Sequence, residues 1–124
     1  GVVDQGGDGY GAAQAFAAAG KPRPTIIMGN RQDELAWWKQ QKDKDGYQTW
    51  SASVAPGLST LGFWVAQQVL DGRKDIPHDL TVPYLAFDQS NFEAELPKIA
   101  QGGVASTEYS QADAIAAIKA NMKQ

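Results

Sequence analysis

The 124-residue sequence predicts an α/β domain built on a parallel sheet with helices on both faces, a three-layer sandwich. Short apolar runs such as Pro24-Thr-Ile-Ile-Met28 stand between turn residues, as strands buried on both faces do. Such runs alternate with longer stretches in which apolar residues recur at helical spacing. The length suits one domain with a real core and is too short for two.

The elements follow in order. Gly1-Val2-Val3-Asp4 reads as the end of a buried strand, and a glycine run and an Ala-rich helix over Tyr10–Ala19 come after it. Gly20 and Pro22 stop that helix, and Pro24–Met28 supplies the next strand. Asn30 has the chemistry of a helix N-cap, with Asp33 and Glu34 in the first turn where negative charge suits the helix dipole. This helix should run to about Lys44, before Asp45-Gly46. Tyr47–Val54 forms a strand broken by Pro56-Gly57, and Leu58, Leu61, Val65 and Val69 then mark one face of a helix ending at Gly72. Leu80–Phe87 is a fourth strand. Ser90-Asn-Phe-Glu93 has capping-box spacing before a short helix interrupted at Pro97, and Ser110-Gln-Ala-Asp113 opens the last helix, with Ile115, Ile118 and Met122 on its core side.

Composition removes several classes of function. The net charge of −3 and the scattered Lys and Arg argue against a nucleic-acid surface. No apolar run approaches the roughly 20 residues of a membrane-spanning helix. With no cysteine there is no disulfide, thiolate metal site or Cys nucleophile, and the compartment stays open. His78, the single histidine, follows a proline, has no partner at metal-ligand spacing and suits a surface turn. No nucleophile elbow, zinc-protease helix or phosphate-loop lysine is present, and no pair of carboxylates demands acid–base chemistry. Nothing in these residues asks for catalysis, so the expectation is a protein that is not an enzyme and uses no cofactor.

In open parallel sheets, ligands sit beyond the carboxyl ends of the strands. Here those ends are Gln5-Gly-Gly-Asp8, Gly29-Asn30-Arg31 and Ser51–Val54. Asn30 can serve as cap and contact together, Arg31 reads as a solvated surface charge unless a ligand oxygen or carboxylate is near, and Gln5–Gly11 reads equally as an ordinary flexible turn. Trp50, among small residues, has room to stack on the apolar face of a sugar or polyol; packing in the core is the other reading. Trp64 suits helix packing, and the neighbours Trp37 and Trp38 point about 100° apart. Gly7-Asp-Gly9-Tyr-Gly-Ala12 also fits the GxGxxA pattern of dinucleotide sites, with Arg31 placed to meet a 2′-phosphate, although no acidic ribose ligand follows.

The succession Val-Val-Asp-Gln-Gly-Gly-Asp, then Ala-Phe, Ala-Gly-Lys and Ile-Ile-Met-Gly-Asn, resembles the second lobe of type I periplasmic sugar-binding proteins, the ribose-binding-like receptors of bacterial ABC importers. Trp50-Ser-Ala-Ser-Val-Ala-Pro56, Gly62 and Val69-Leu-Asp-Gly72 resemble the family's hinge strand and following helix, and Leu80-Thr-Val-Pro-Tyr-Leu85 its last strand. The resemblance covers essentially the whole chain and implies a C-terminal portion of a receptor whose two lobes are joined by three crossovers. It places residues 1–54 and 76–124 in the second lobe and the helix over 55–75 in the first. That helix would then lack its native neighbours, so a homodimer, domain-swapped or not, or a rearranged packing is the expected way to cover its apolar face.

The resemblance further implies a hydroxyl-rich ligand closed between lobes, a membrane permease as partner and an extracytoplasmic, periplasmic location. Asn30 falls where the family places an Asp or Asn on sugar hydroxyls, and Gln5 or Asp8 in the turn that supplies another polar ligand. Ser53 or Val54 stands where ribose receptors carry Gln, which counts against ribose itself. Two alternatives remain at this stage: the effector domain of a lactose-repressor-type transcriptional regulator, and an NADP-linked oxidoreductase built on the glycine pattern.

Overall fold

Val2–Val3 (β1) runs parallel to Ile26–Ile27 (β2), with Val2 opposite Ile26 and Val3 opposite Ile27. The ladder continues through a parallel bridge between Met28 and Ser51, closed by Met28 N–H to the Trp50 carbonyl at 2.8 Å and Ala52 N–H to the Met28 carbonyl at 3.0 Å. Ser51–Ser53 (β3) then pairs antiparallel with Leu85–Phe87 (β4). These relations come from a computed structural model, which describes residues 1–3, 7–82 and 84–122. The chain divides into two units, Gly1–Ser53 with Tyr84–Ala105, and Val54–Pro83 with Ser106–Gln124, and so passes between them three times.

In the first unit, helices Gly9–Ala18 (α1) and Gln32–Asp45 (α2) follow β1 and β2. Alternation along the strands puts Val2, Ile26, Met28, Ser51 and Phe87 on one face. Ile26 and Met28 meet Ala12, Ala13 and Trp37 there, while Phe87 joins Leu35, Trp38, Tyr47 and Phe92. Trp38 and Phe92, both fully buried, stack with centroids 3.8 Å apart. Phe92 comes from the short helix Phe92–Glu95 (α4), which tightens into a 3-10 turn over Leu96–Lys98 where Pro97 sits. The other sheet face is open among the described residues: Val3, Trp50 and Tyr84 are largely exposed. The second helical layer of the expected sandwich is thus not among the described elements of this unit.

Several boundaries differ from expectation for local physical reasons. The strand expected over 47–54 has ladder pairing only at Ser51–Ser53, because upstream of it side chains hold β2 instead. The Tyr47 hydroxyl accepts the Ile26 N–H at 2.9 Å and donates to the Pro24 carbonyl at 3.0 Å, and the Thr49 hydroxyl donates to the Ile26 carbonyl. Burial pushes the Tyr47 phenol up, so it stays a neutral donor. The fourth strand covers only Leu85–Phe87 and runs antiparallel, since the chain leaves the unit after β3 and re-enters at Tyr84. Ser90 is not the cap of α4. It donates to Asp88 Oδ1 through both N–H and hydroxyl, and Asn91 takes the N-cap position.

The second unit is built on Leu58–Leu70 (α3) and Gln111–Asn121 (α5), which pack on each other. Leu61, Ala114 and Ile118 are buried, while Val69 and Met122 are half exposed. The capping box at Ser110 is present: the Asp113 carboxylate accepts the Ser110 N–H at 2.8 Å, and the Ser110 hydroxyl accepts the Asp113 N–H at 3.3 Å. Before α3, Gly57 lies so close to the 106–107 segment that a Cβ there would stand 2.0 Å from the Thr107 carbonyl oxygen. Its N–H donates to the Ser106 hydroxyl at 2.9 Å. α5 therefore supplies α3 with a partner inside the chain, which the sequence left open beside a second copy. Residues 106–122 fall in the same unit as α3.

Candidate ligand-binding site

The carboxyl ends of β1, β2 and β3 bring together most of the residues singled out from the sequence. Asn30 stands two residues beyond the Met28 bridge and is only 1% exposed. Its Nδ2 donates to the Leu85 carbonyl at 2.7 Å, and its Oδ1 accepts from the Ser51 hydroxyl, which also lies 2.7 Å from the Gly29 carbonyl. The Asn30 carbonyl accepts the Ala105 N–H at 2.8 Å. One residue therefore joins β2, β3, β4 and the returning chain, the first three through its side-chain amide and the last through its backbone carbonyl. This inward pull explains why Asn30 is not the helix cap: Arg31 takes that position in extended conformation, and α2 begins at Gln32.

Arg31 is half exposed and pairs with Asp33, Nε to Oδ1 at 3.2 Å. Its Cδ would lie 3.6 Å from a Cβ at Gly7, so the glycine turn and the end of β2 form one edge. Asp8 is exposed at the start of α1, and its side chain makes no capping bond. Ser53, two residues along β3 from Ser51, has a buried hydroxyl with no partner among the described residues. Gln5 lies outside the described residues. Trp50 is on the other side of the sheet, because Ser51 faces Asn30 and neighbouring strand residues point oppositely. Its ring, 65% exposed, borders a recess of about 340 Å³ with Thr25, Ile27, Gln48, Thr49 and Gln89. Asp8, Asn30, Arg31 and Ser53 thus share an edge that Trp50 does not join.

The residue that sequence reasoning underrated is Glu34. Read as a first-turn charge, it is in fact fully buried. Its Oε1 accepts the N–H of Gly9, the first residue of α1, at 2.8 Å, and its Oε2 accepts the N–H of Arg31 at 3.4 Å. A Cβ at Gly9 would lie 2.5 Å from Met28 Sδ and 2.9 Å from Glu34 Oε1. The second glycine of the GxGxxA pattern therefore admits a sulfur and a carboxylate of the protein itself. A dinucleotide phosphate at this helix start would meet that carboxylate, which removes the support for the oxidoreductase alternative.

No family model matches the chain, and no curated protein matches it. Among solved structures it is similar to the crystal structure of an ABC transporter solute binding protein from Thermobispora bispora DSM 43833. The TM-score is 0.82 at 27% sequence identity, over 95% of this chain and 36% of that one. The chain thus has the α/β fold of part of an ABC-transporter solute-binding protein, and the protein it resembles is a transport receptor rather than an enzyme.

Proposed function

We propose that the chain is a solute-binding part of an ABC-type importer, extracytoplasmic and served by a membrane permease, and that its solute is a sugar or polyol. The observation that carries this reading is the coincidence of two things. The fold likeness extends over nearly the whole chain, and the polar residues Asp8, Arg31, Asn30 and Ser53 collect at the carboxyl edge where open parallel sheets bind ligands. Asp8 and the Arg31 guanidinium are the accessible hydrogen-bonding groups for hydroxyls. Asn30 and the Ser53 hydroxyl are buried at the same strand ends. Trp50, on the other side of the sheet, has no part in this edge. A transport receptor as structural relative favours the importer over the lactose-repressor-type regulator.

The test is calorimetric titration of the chain with a panel of pentoses, hexoses and polyols, with NADPH included. One sugar or polyol should bind with a Kd on the order of 1 mM, equivalent to about −4 kcal/mol. The heat should vanish in Asp8→Ala and Arg31→Ala. A panel without response, or a response to NADPH alone, overturns the reading.

A further inference from the structure

We propose that the second unit holds a ligand site of its own, a recess of about 560 Å³ that takes an alkylated ammonium cation. It lies between the first two turns of α3 and the segment leading into α5, and its lining belongs wholly to that unit. Three aromatic side chains, Phe63, Trp64 and Tyr109, line it together with the Glu108 carboxylate, its one charged group among the described residues. The Phe63 and Trp64 rings stand edge to face, with centroids 5.0 Å apart and planes at 76°. Phe63 is 61% exposed, on a helix that buries Leu61 against its neighbours. The segment opposite is fixed to α3, because the Tyr109 N–H donates to the Thr60 hydroxyl at 2.8 Å.

The lining selects the class of ligand. A cation set against an aromatic face is attracted by the ring quadrupole, and Glu108 supplies an opposite charge that has no partner among the described residues. An anion would meet that carboxylate and find few donors. The hydroxyls of Ser59, Thr60 and Ser110 already donate, to the Pro56 carbonyl, the Gly57 carbonyl and the Asp113 carboxylate. The same engagement counts against a sugar here, whose hydroxyls need donors as well as acceptors. A bare ammonium is strongly hydrated and carries three N–H groups, for which the recess offers one carboxylate. Alkyl groups on the nitrogen remove that demand and give the rings an apolar contact. Nor do the helix starts oppose a cation. The Ala55 and Gly57 carbonyls accept the N–H groups of Leu58 and Thr60, and Asp113 accepts the Ser110 N–H at 2.8 Å. The site shares no residue with the proposed solute edge and does not rest on it.

The probe is choline, and its neutral control is dimethylbutanol, the same shape with carbon in place of nitrogen. In NMR titrations of the chain, the Trp64 indole N–H signal, assigned through Trp64→Phe, should move saturably with choline. Sodium chloride at equal ionic strength should leave it in place, and the indole signals of Trp37, Trp38 and Trp50 should not respond to choline. Dimethylbutanol should bind several-fold more weakly. Glu108→Gln keeps the shape without the charge, and Phe63→Leu keeps an apolar side chain without the ring. Each should weaken choline by a factor of about 2–5, the worth of one exposed contact of this kind, and leave dimethylbutanol nearly unaffected. Both side chains are exposed, so both variants should keep the fold, which the three other indole signals report. Equal binding of choline and dimethylbutanol would reduce the recess to an apolar hollow and overturn the proposal. A Trp64 signal unmoved by choline, or an unchanged choline affinity in either variant, overturns it as well.

Discussion

In each unit a glycine is pressed by a part of the chain far away in sequence, Gly9 in the first and Gly57 in the second, and the two are blocked by different things. At Gly9, in the first unit, a Cβ would meet the ends of two side chains, Met28 Sδ and Glu34 Oε1. At Gly57, in the second, it would meet a backbone carbonyl, that of Thr107, at 2.0 Å, with the Ser106 hydroxyl at 3.0 Å. Side-chain ends can shift by rotation about single bonds, whereas a backbone carbonyl moves only with its segment. The first unit is thus closed by a buried polar network that has some give, and the second by a main-chain contact that has none.

Substitution of the two glycines by alanine should separate these cases. Gly57→Ala should have the largest effect, a loss of about 3 kcal/mol or more, since overpacking beyond side-chain relief exceeds the usual 1–3 kcal/mol. Amide exchange should accelerate most in α3 and α5. Gly9→Ala should cost less, about 1–3 kcal/mol, partly offset by the better helix propensity of alanine. In that variant the Gly9 and Arg31 amides should lose protection first, because Glu34 must withdraw. Equal losses in the two variants, measured by urea unfolding, would show that the contact at Gly57 is as yielding as the one at Gly9.

A third substitution probes the polar network without adding bulk. Asn30→Ala deletes the donor to Leu85 and the acceptor for Ser51, and leaves a carbonyl in a dry site. A loss of about 1–2 kcal/mol is expected, the usual penalty for an orphaned buried group. Asn30→Asp should be no milder, since a carboxylate presents an oxygen to the Leu85 carbonyl in place of an N–H. If the two variants unfold at the wild-type urea midpoint, the amide is not what joins β2 to β4.

What could be read from sequence follows the distance over which each interaction acts. The Ser110–Asp113 capping box spans three residues, and the structure has it as expected. The alternation of strands and helices was legible for the same reason, and so was the cluster of polar residues at strand ends. Asn30 misled as a cap because its real partner, Leu85, is 55 positions away, and the fold turns the amide inward to reach it. Glu34 was legible as a helix-start charge, but Gly9 is 25 positions upstream, and no periodicity reports such a contact. The cover of α3 was left open between a second copy and a rearranged packing, because α5 is separated from it by the chain's excursion through the first unit. Trp50 was singled out by its small neighbours, yet only the strand register shows that it faces away from Asn30.

The smallest expected effect concerns the surface of the first unit and sharpens the contrast with its buried charge. Arg23 grips Asp45 with one nitrogen 2.8 and 2.9 Å from the two carboxylate oxygens, and lies over the Tyr47 ring at 4.3 Å. The guanidinium holds the Asp45 carboxyl below the usual carboxylate range. A carboxyl depressed in the folded state binds its proton more readily when unfolded, so its contribution is present above the unfolded pKa and is lost as pH falls through the folded one. Asp45→Asn should therefore leave the melting midpoint nearly unchanged at pH 7, because both groups are solvated and screened. Its visible consequence should be a slightly shallower fall of the midpoint below about pH 4. Raising the salt should erase even that difference, since charges in contact with solvent are readily screened. If the difference persisted at high salt, the Arg23–Asp45 pair would have to be shielded from solvent, and the contrast between this surface and the buried network around Asn30 would fail.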